Sequence, residues 1–90
     1  MSGSFDPKKD ATNLQKHGIS LTEGEGVTDD PLGLCMEDRD AAGEQRFVAL
    51  GRNAFDRLRV VVYTYRGEAV RFISVRQPEP KEVRAYEKGI

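Results

Sequence analysis

Residues 58–65, Leu-Arg-Val-Val-Val-Tyr-Thr-Tyr, form a β-branched and aromatic run that is apolar on both faces, the pattern of a central strand. Arg66-Gly67-Glu68 supplies a tight turn, and residues 69–76 return antiparallel to complete a hairpin. Upstream, residues 45–51 alternate, with Phe47 and Ala49 on one face and Arg46, Val48 and Leu50 on the other. Residues 53–57 then close a hairpin loop, and residues 32–36 are apolar enough for a further strand.

Helical signals lie at both ends. Asp6-Pro7 can cap and open a helix that Gly18 ends, with Ala11, Leu14 and His17 along one stripe. Ser20 and Glu23 have capping-box spacing, but Gly24 and Gly26 each cost a helix about 1 kcal/mol, which leaves residues 20–28 open between helix and loop. Pro78 and Pro80 stop the last strand, and Pro80 begins a final helix that Gly89 terminates. The pattern predicts one α+β domain over residues 1–90. Its core is a three- to four-stranded antiparallel meander, flanked by an N-terminal helix or helix pair and a C-terminal helix. Residues 1–4 are expected as a flexible tail and 37–43 as a mobile acidic loop.

A three-residue loop at 66–68 would set Tyr63 opposite Arg71, Val61 opposite Ile73 and Val62 opposite Phe72. One face then holds Val60, Val62, Val70 and Phe72 and is the one expected to be covered by helices. The other presents Arg59, Tyr63, Tyr65 and Arg71 around Val61, Ile73 and Val75. Such a surface suits stacked bases and phosphates, although the solvent side of a half-covered sheet has the same composition. Arg76, five positions after Arg71, points to the opposite face of a regular strand. One site using both needs a bulge or the strand end.

Charge sharpens this picture. The net charge is −1, but residues 1–45 hold four basic and ten acidic side chains while residues 46–90 hold ten basic and five acidic. Eight of the nine arginines fall in the second half, which points one surface toward an anionic partner. A single His, no Gly-rich phosphate loop and no nucleophile motif argue against hydrolase triads and nucleotide-binding folds. Cys35 stands alone, and the acidic residues 29, 30, 37, 38 and 40 lack calcium-loop spacing, so neither metal nor other cofactor is expected. No apolar run is long enough to span a bilayer and none resembles a secretory signal, so the expected location is cytoplasmic, with no membrane partner.

Phe5-Asp6, Asn13, Lys16-His17-Gly18, Asp29-Asp30-Pro31, Gly43-Glu44-Gln45-Arg46-Phe47, Gly51, Val60-Val61-Val62-Tyr63-Thr64, Ile73-Ser74-Val75-Arg76, Glu82 and Tyr86 together resemble the BrnT family of bacterial toxins. The resemblance implies a RelE-like ribonuclease fold and a metal-independent endoribonuclease that inhibits translation. It also implies neutralisation by a BrnA-like antitoxin of ribbon-helix-helix type, through which alone DNA would be contacted. Carried over residue by residue, it nominates Arg46, Arg71, Arg76, Tyr86 and His17 for catalysis, with Glu44 as a further proton-transfer candidate. Lys16, Arg59, Tyr63 and Tyr65 are the residues nominated to contact RNA. The sequence departs from the family pattern at Phe5, at Gly24-Glu25-Gly26 and at Gln77-Pro78-Glu79-Pro80, where a basic run is thinned. Fewer cations weaken phosphate attraction. The alternative is therefore a catalytically weak relative that serves as an antitoxin-binding or regulatory module.

Overall fold

The computed structural model describes residues 3–38 and 45–89. Its elements are β1 (Gly3–Ser4), α1 (Pro7–His17), β2 (Leu34–Asp38), β3 (Arg46–Arg52), β4 (Leu58–Arg66), β5 (Ala69–Arg76) and α2 (Pro80–Lys88). Between α1 and β2 the open stretch resolves into two 3₁₀ turns, Leu21–Gly24 and Val27–Asp29, because Ser20 caps the first but the glycines stop it from propagating. Both helices end where expected, with Gly18 and Gly89 left-handed at φ 68° and 72°.

The sheet is five-stranded and mixed, in the order β1-β5-β4-β3-β2, rather than a three- to four-stranded antiparallel meander. The meander is present as β2 to β5. The addition is β1, which pairs parallel with β5 through Gly3–Val70 and Ser4–Arg71, so these residues do not belong to a tail. Glycine is needed there because a Cβ on residue 3 would collide with the Phe72 ring. At the other end, Glu37 and Asp38 extend β2 instead of joining the acidic connection; residues 39–44, Glu44 included, lie outside the described residues.

Register is the main correction. The β4–β5 turn has two residues, Gly67 and Glu68, between the paired Arg66 and Ala69, and Gly67 adopts φ 64°. A turn one residue shorter than expected moves the β5 side chains that follow it to the other face, as far as the next irregularity. Val70 and Phe72 thus join Val61 and Tyr63, while Arg71 joins Thr64 and Val62. A bulge then intervenes: Tyr63 pairs with Phe72 but Val62 with Ser74, leaving Ile73 as the extra residue. Beyond it, Val75 returns to the Val61 face and Ser74 and Arg76 to the Val62 face.

On the Val61 face, Ile19, Leu21 and Val27 from the segment after α1 pack over Ala49, Val61, Tyr63, Val70, Phe72 and Val75 to form the main core. The better-covered face is therefore that of Val61, while Val60, on the face expected to be covered, packs under α2 at one end only. The Arg59, Tyr63 and Arg71 surface does not exist, because the register separates Arg71 from the two others.

The α1 stripe is likewise not what docks that helix. Leu14 is 46% exposed, while Asn13 is buried and its side-chain amide donates to Ile19 O (2.7 Å) and Val75 O (2.8 Å) and accepts from Val75 N–H (3.2 Å). β1 is only two residues long, so the outward backbone groups of Val75 need another partner, and a primary amide provides both a donor and an acceptor.

Candidate functional site

The second face of the sheet is only half covered. α2 lies over one end, where Tyr86 packs with Leu50 and Val60 against Leu34, Val48 and Leu58. A capping box between Glu79 and Glu82 and Pro80 at the first turn fix where the helix starts. Beside α2 runs a groove of about 510 Å³ with Leu34, Met36, Val48, Leu50, Val60 and Glu82 in its walls. Met36 is 69% exposed, so the floor is apolar and open.

The polar ends of this face come from the register. Asp38 stands opposite Arg46, and Arg46 precedes the Phe47–Tyr63 pair, which brings it beside Thr64; Thr64 in turn pairs with Arg71. A carboxylate, a guanidinium, a hydroxyl and a second guanidinium thus follow one another across four strands. Arg46 and Arg71 sit two strands apart, about 10 Å between backbones at roughly 4.8 Å per strand. The Thr64 hydroxyl itself is committed, donating to Gln45 O at 2.7 Å. Asp38 and Thr64 were not singled out as site residues from sequence because their relevance depends on cross-strand pairing.

Arg76 shares this face thanks to the bulge, but it pairs with Val60, four residues along β4 from Thr64, or about 13 Å away. Both of its terminal nitrogens donate to the Glu82 carboxylate, at 2.8 and 3.0 Å. That fork of hydrogen bonds holds Glu82 below the usual carboxylate range despite its partial desolvation, and raises Arg76 further. Tyr86 is buried, and its hydroxyl donates to Asp30 at 2.7 Å while the Arg52 guanidinium lies 5.9 Å from its ring centre. The hydrogen bond to Asp30 raises the Tyr86 pKa. Burial pushes Asp30 upward, but hydrogen bonds from the Arg52 and Leu32 N–H groups and from Tyr86, together with the Arg52 charge, outweigh it and leave Asp30 lowered. Tyr86 therefore ties α2 to the far end of β3, away from Arg46 and Arg71.

The remaining nominated residues lie elsewhere. Tyr63 is buried against Phe47 with ring centres 5.5 Å apart and its hydroxyl 3.2 Å from Cys35 Sγ; burial, then Cys35, pushes its pKa up. Arg59 is paired with Glu23 at 3.1 Å on the same face. Tyr65, 47% exposed, packs edge-on to Phe47 and Tyr63 and faces away from Arg71. Lys16 and His17 are exposed at the end of α1. The structure thus sets Arg46 and Arg71 in one row two strands apart, leaves Arg76 and Tyr86 at the α2 end, and puts Lys16 and His17 across the β5 edge. Among the described residues no cluster of His, Cys, Asp and Glu is arranged to hold a metal ion, and no helix is long and apolar enough to cross a membrane.

Fold and site together define a small α+β domain with a half-covered sheet face, which carries an apolar groove beside the C-terminal helix and Arg46, Thr64 and Arg71 in one row. The model of the BrnT family, the ribonuclease toxins of type II toxin–antitoxin systems, matches residues 5–82, and the chain belongs to that family. Among solved structures it is similar to the 1.1 Å crystal structure of the Brucella abortus ribonuclease toxin BrnT. The TM-score is 0.60 at 24% identity, covering 88% of this chain and 97% of that one. No curated protein matches the sequence. Membership in a type II toxin family implies an antitoxin partner and an RNA target.

Proposed function

We propose that this toxin cleaves RNA by metal-independent transesterification on the open sheet face, with Arg46 and Arg71 holding the scissile phosphate. What supports the reading is the short β4–β5 turn, which puts Arg71 in one row with Arg46 at the end of an apolar groove that can take a base. Attack of a ribose 2′-hydroxyl on the adjacent phosphorus adds negative charge to the phosphoryl oxygens. Two guanidinium forks that never lose their charge can match that charge bidentately. Asp38, the carboxylate opposite Arg46 in that row, takes the 2′-hydroxyl proton; the P–O5′ bond breaks as the 2′,3′-cyclic phosphate forms, and the departing 5′-oxygen takes a proton from water. The protein acts in the cytoplasm, and a ribbon-helix-helix antitoxin covers this face, contacting DNA on behalf of both proteins.

Expression of wild type and Arg71→Ala in a bacterial host tests the proposal. Growth arrest with RNA cleavage by wild type alone supports it, and equal growth and intact RNA in both sinks it. One observation favours the second reading, a weakly active relative: Arg76 is occupied by Glu82. If that lock limits the enzyme, Glu82→Gln raises cleavage; if Arg76 serves only to hold α2, the substitution lowers stability and leaves the rate unimproved.

A further inference from the structure

We infer that the groove between α1 and the bulged edge of β5 is a second phosphate subsite, which holds the RNA backbone next to the cleaved phosphodiester. The inference rests on RNA being the substrate. The groove has a volume of about 260 Å³, with Lys9, Thr12, Lys16 and His17 on one wall and Ile73 and Ser74 on the other. Lys9, Thr12 and Lys16 recur at the three- and four-residue spacing of one helical face, so both ammonium groups rise from the same side of α1.

The carboxylates of this helix are turned elsewhere. Asp6 caps the helix by accepting from Lys8 N–H, and Asp10 accepts from the Ser20 hydroxyl and Leu21 N–H. Neither Lys9 nor Lys16 has an ion-pair partner among the described residues, whereas Arg52, Arg57, Arg59, Arg76 and Lys81 each do. The two lysines are thus uncompensated cations in a concave site whose one ring is the His17 imidazole. A phosphodiester is the ligand that fits.

The site is also rigid and continuous with the first. Asn13 bonds α1 to the Val75 backbone and so fixes the distance between the two walls. Ser74, at the groove's edge, lies on the same sheet face as Arg71, three residues or about 10 Å away along β5. A strand whose scissile phosphate sits between Arg46 and Arg71 can turn over the β5 edge there and lay its next phosphates against Lys9 and Lys16.

The test uses a fluorescent single-stranded RNA with methylated 2′-hydroxyls, which binds without being cut, titrated with wild type and Lys9→Ala/Lys16→Ala across a salt series. Alanine is a better helix former than lysine and both sites are exposed, so the variant folds, as unchanged thermal melting will verify. The expected result is weaker binding and a plot of log affinity against log salt shallower by about 1.4, at about 0.7 per lost single-strand phosphate contact. On cleavable RNA the KM rises and kcat holds. Wild-type affinity and slope in the variant overturn the inference alone, provided that Arg71→Ala weakens binding. Absence of RNA binding by wild type overturns the ribonuclease reading as well.

Discussion

Asn13→Ala is the substitution with the largest expected structural effect for its size. It deletes three hydrogen bonds and leaves Val75 N–H, Val75 C=O and Ile19 C=O without that amide, in positions where Val75 is 0% and Ile19 6% exposed. With a net loss of about 1 kcal/mol for each hydrogen bond and a further penalty for buried groups left unsatisfied, the expected destabilisation is about 3–4 kcal/mol. Against the roughly 5–15 kcal/mol that holds a small domain together, that is a large fraction. At about 4–8 °C per kcal/mol for a domain of this size, the melting temperature falls by about 12–30 °C. Urea unfolding of wild type and variant followed by circular dichroism measures it, with an unchanged slope marking a true loss of stability. Asn13→Asp is a second probe. It keeps the acceptor for Val75 N–H but sets an anion against two carbonyls, so it is expected to be at least as unstable at neutral pH and to recover partly on protonation. An alanine variant within about 0.5 kcal/mol of wild type refutes the claim that this amide docks α1.

Two further outcomes follow from the contacts of α2. Glu82 and Asp30 both have lowered folded-state pKa values, so each contributes stability that is present above its unfolded value (ordinary values 4.5 and 3.8) and is lost as pH falls through the lowered one. Melting temperature should therefore drop on acidification below about pH 5, and Glu82→Gln should flatten part of that limb. Tyr86→Phe removes the hydroxyl that anchors α2 to Asp30. It is expected to lower the melting temperature while leaving the cleavage rate of purified protein unchanged; a large fall in kcat without loss of stability would assign Tyr86 to the chemistry instead.

Local signals were read well from the chain because they depend on near neighbours. Asp6-Pro7, Gly18, Pro80 and Gly89 bound the helices, the β-branched run made β4, and residues 69–76 coincide with β5. What depended on distant pairing was less legible. The four strands from β2 to β5 were visible, but two residues at the N-terminus carry no hydrophobic period and became β1 only because β5 offers an edge. One residue of turn length decided which face Arg71 occupies, and no residue pattern in Arg66-Gly67-Glu68-Ala69 distinguishes a two-residue from a three-residue connection strongly enough to set it. The Ile73 bulge was legible only as a requirement, through the five-residue spacing of Arg71 and Arg76. Hydrophobic periodicity does not mark the docking face of α1, because a buried amide bonding to an edge strand leaves no apolar signature. For the candidate site, sequence likeness nominated Arg46 and Arg71 separately, and only the register sets them in one row with Asp38.

The central claim is that the Arg46–Arg71 row performs transesterification, and purified protein incubated with a defined single-stranded RNA tests it most directly. Wild type is expected to produce fragments ending in a 2′,3′-cyclic phosphate, the product of 2′-hydroxyl attack, and Arg71→Ala to cleave about 10²–10³ times more slowly, as when one donor to a developing anion is removed. Wild type that leaves the RNA intact, or an Arg71→Ala variant that cleaves at the wild-type rate, would contradict it.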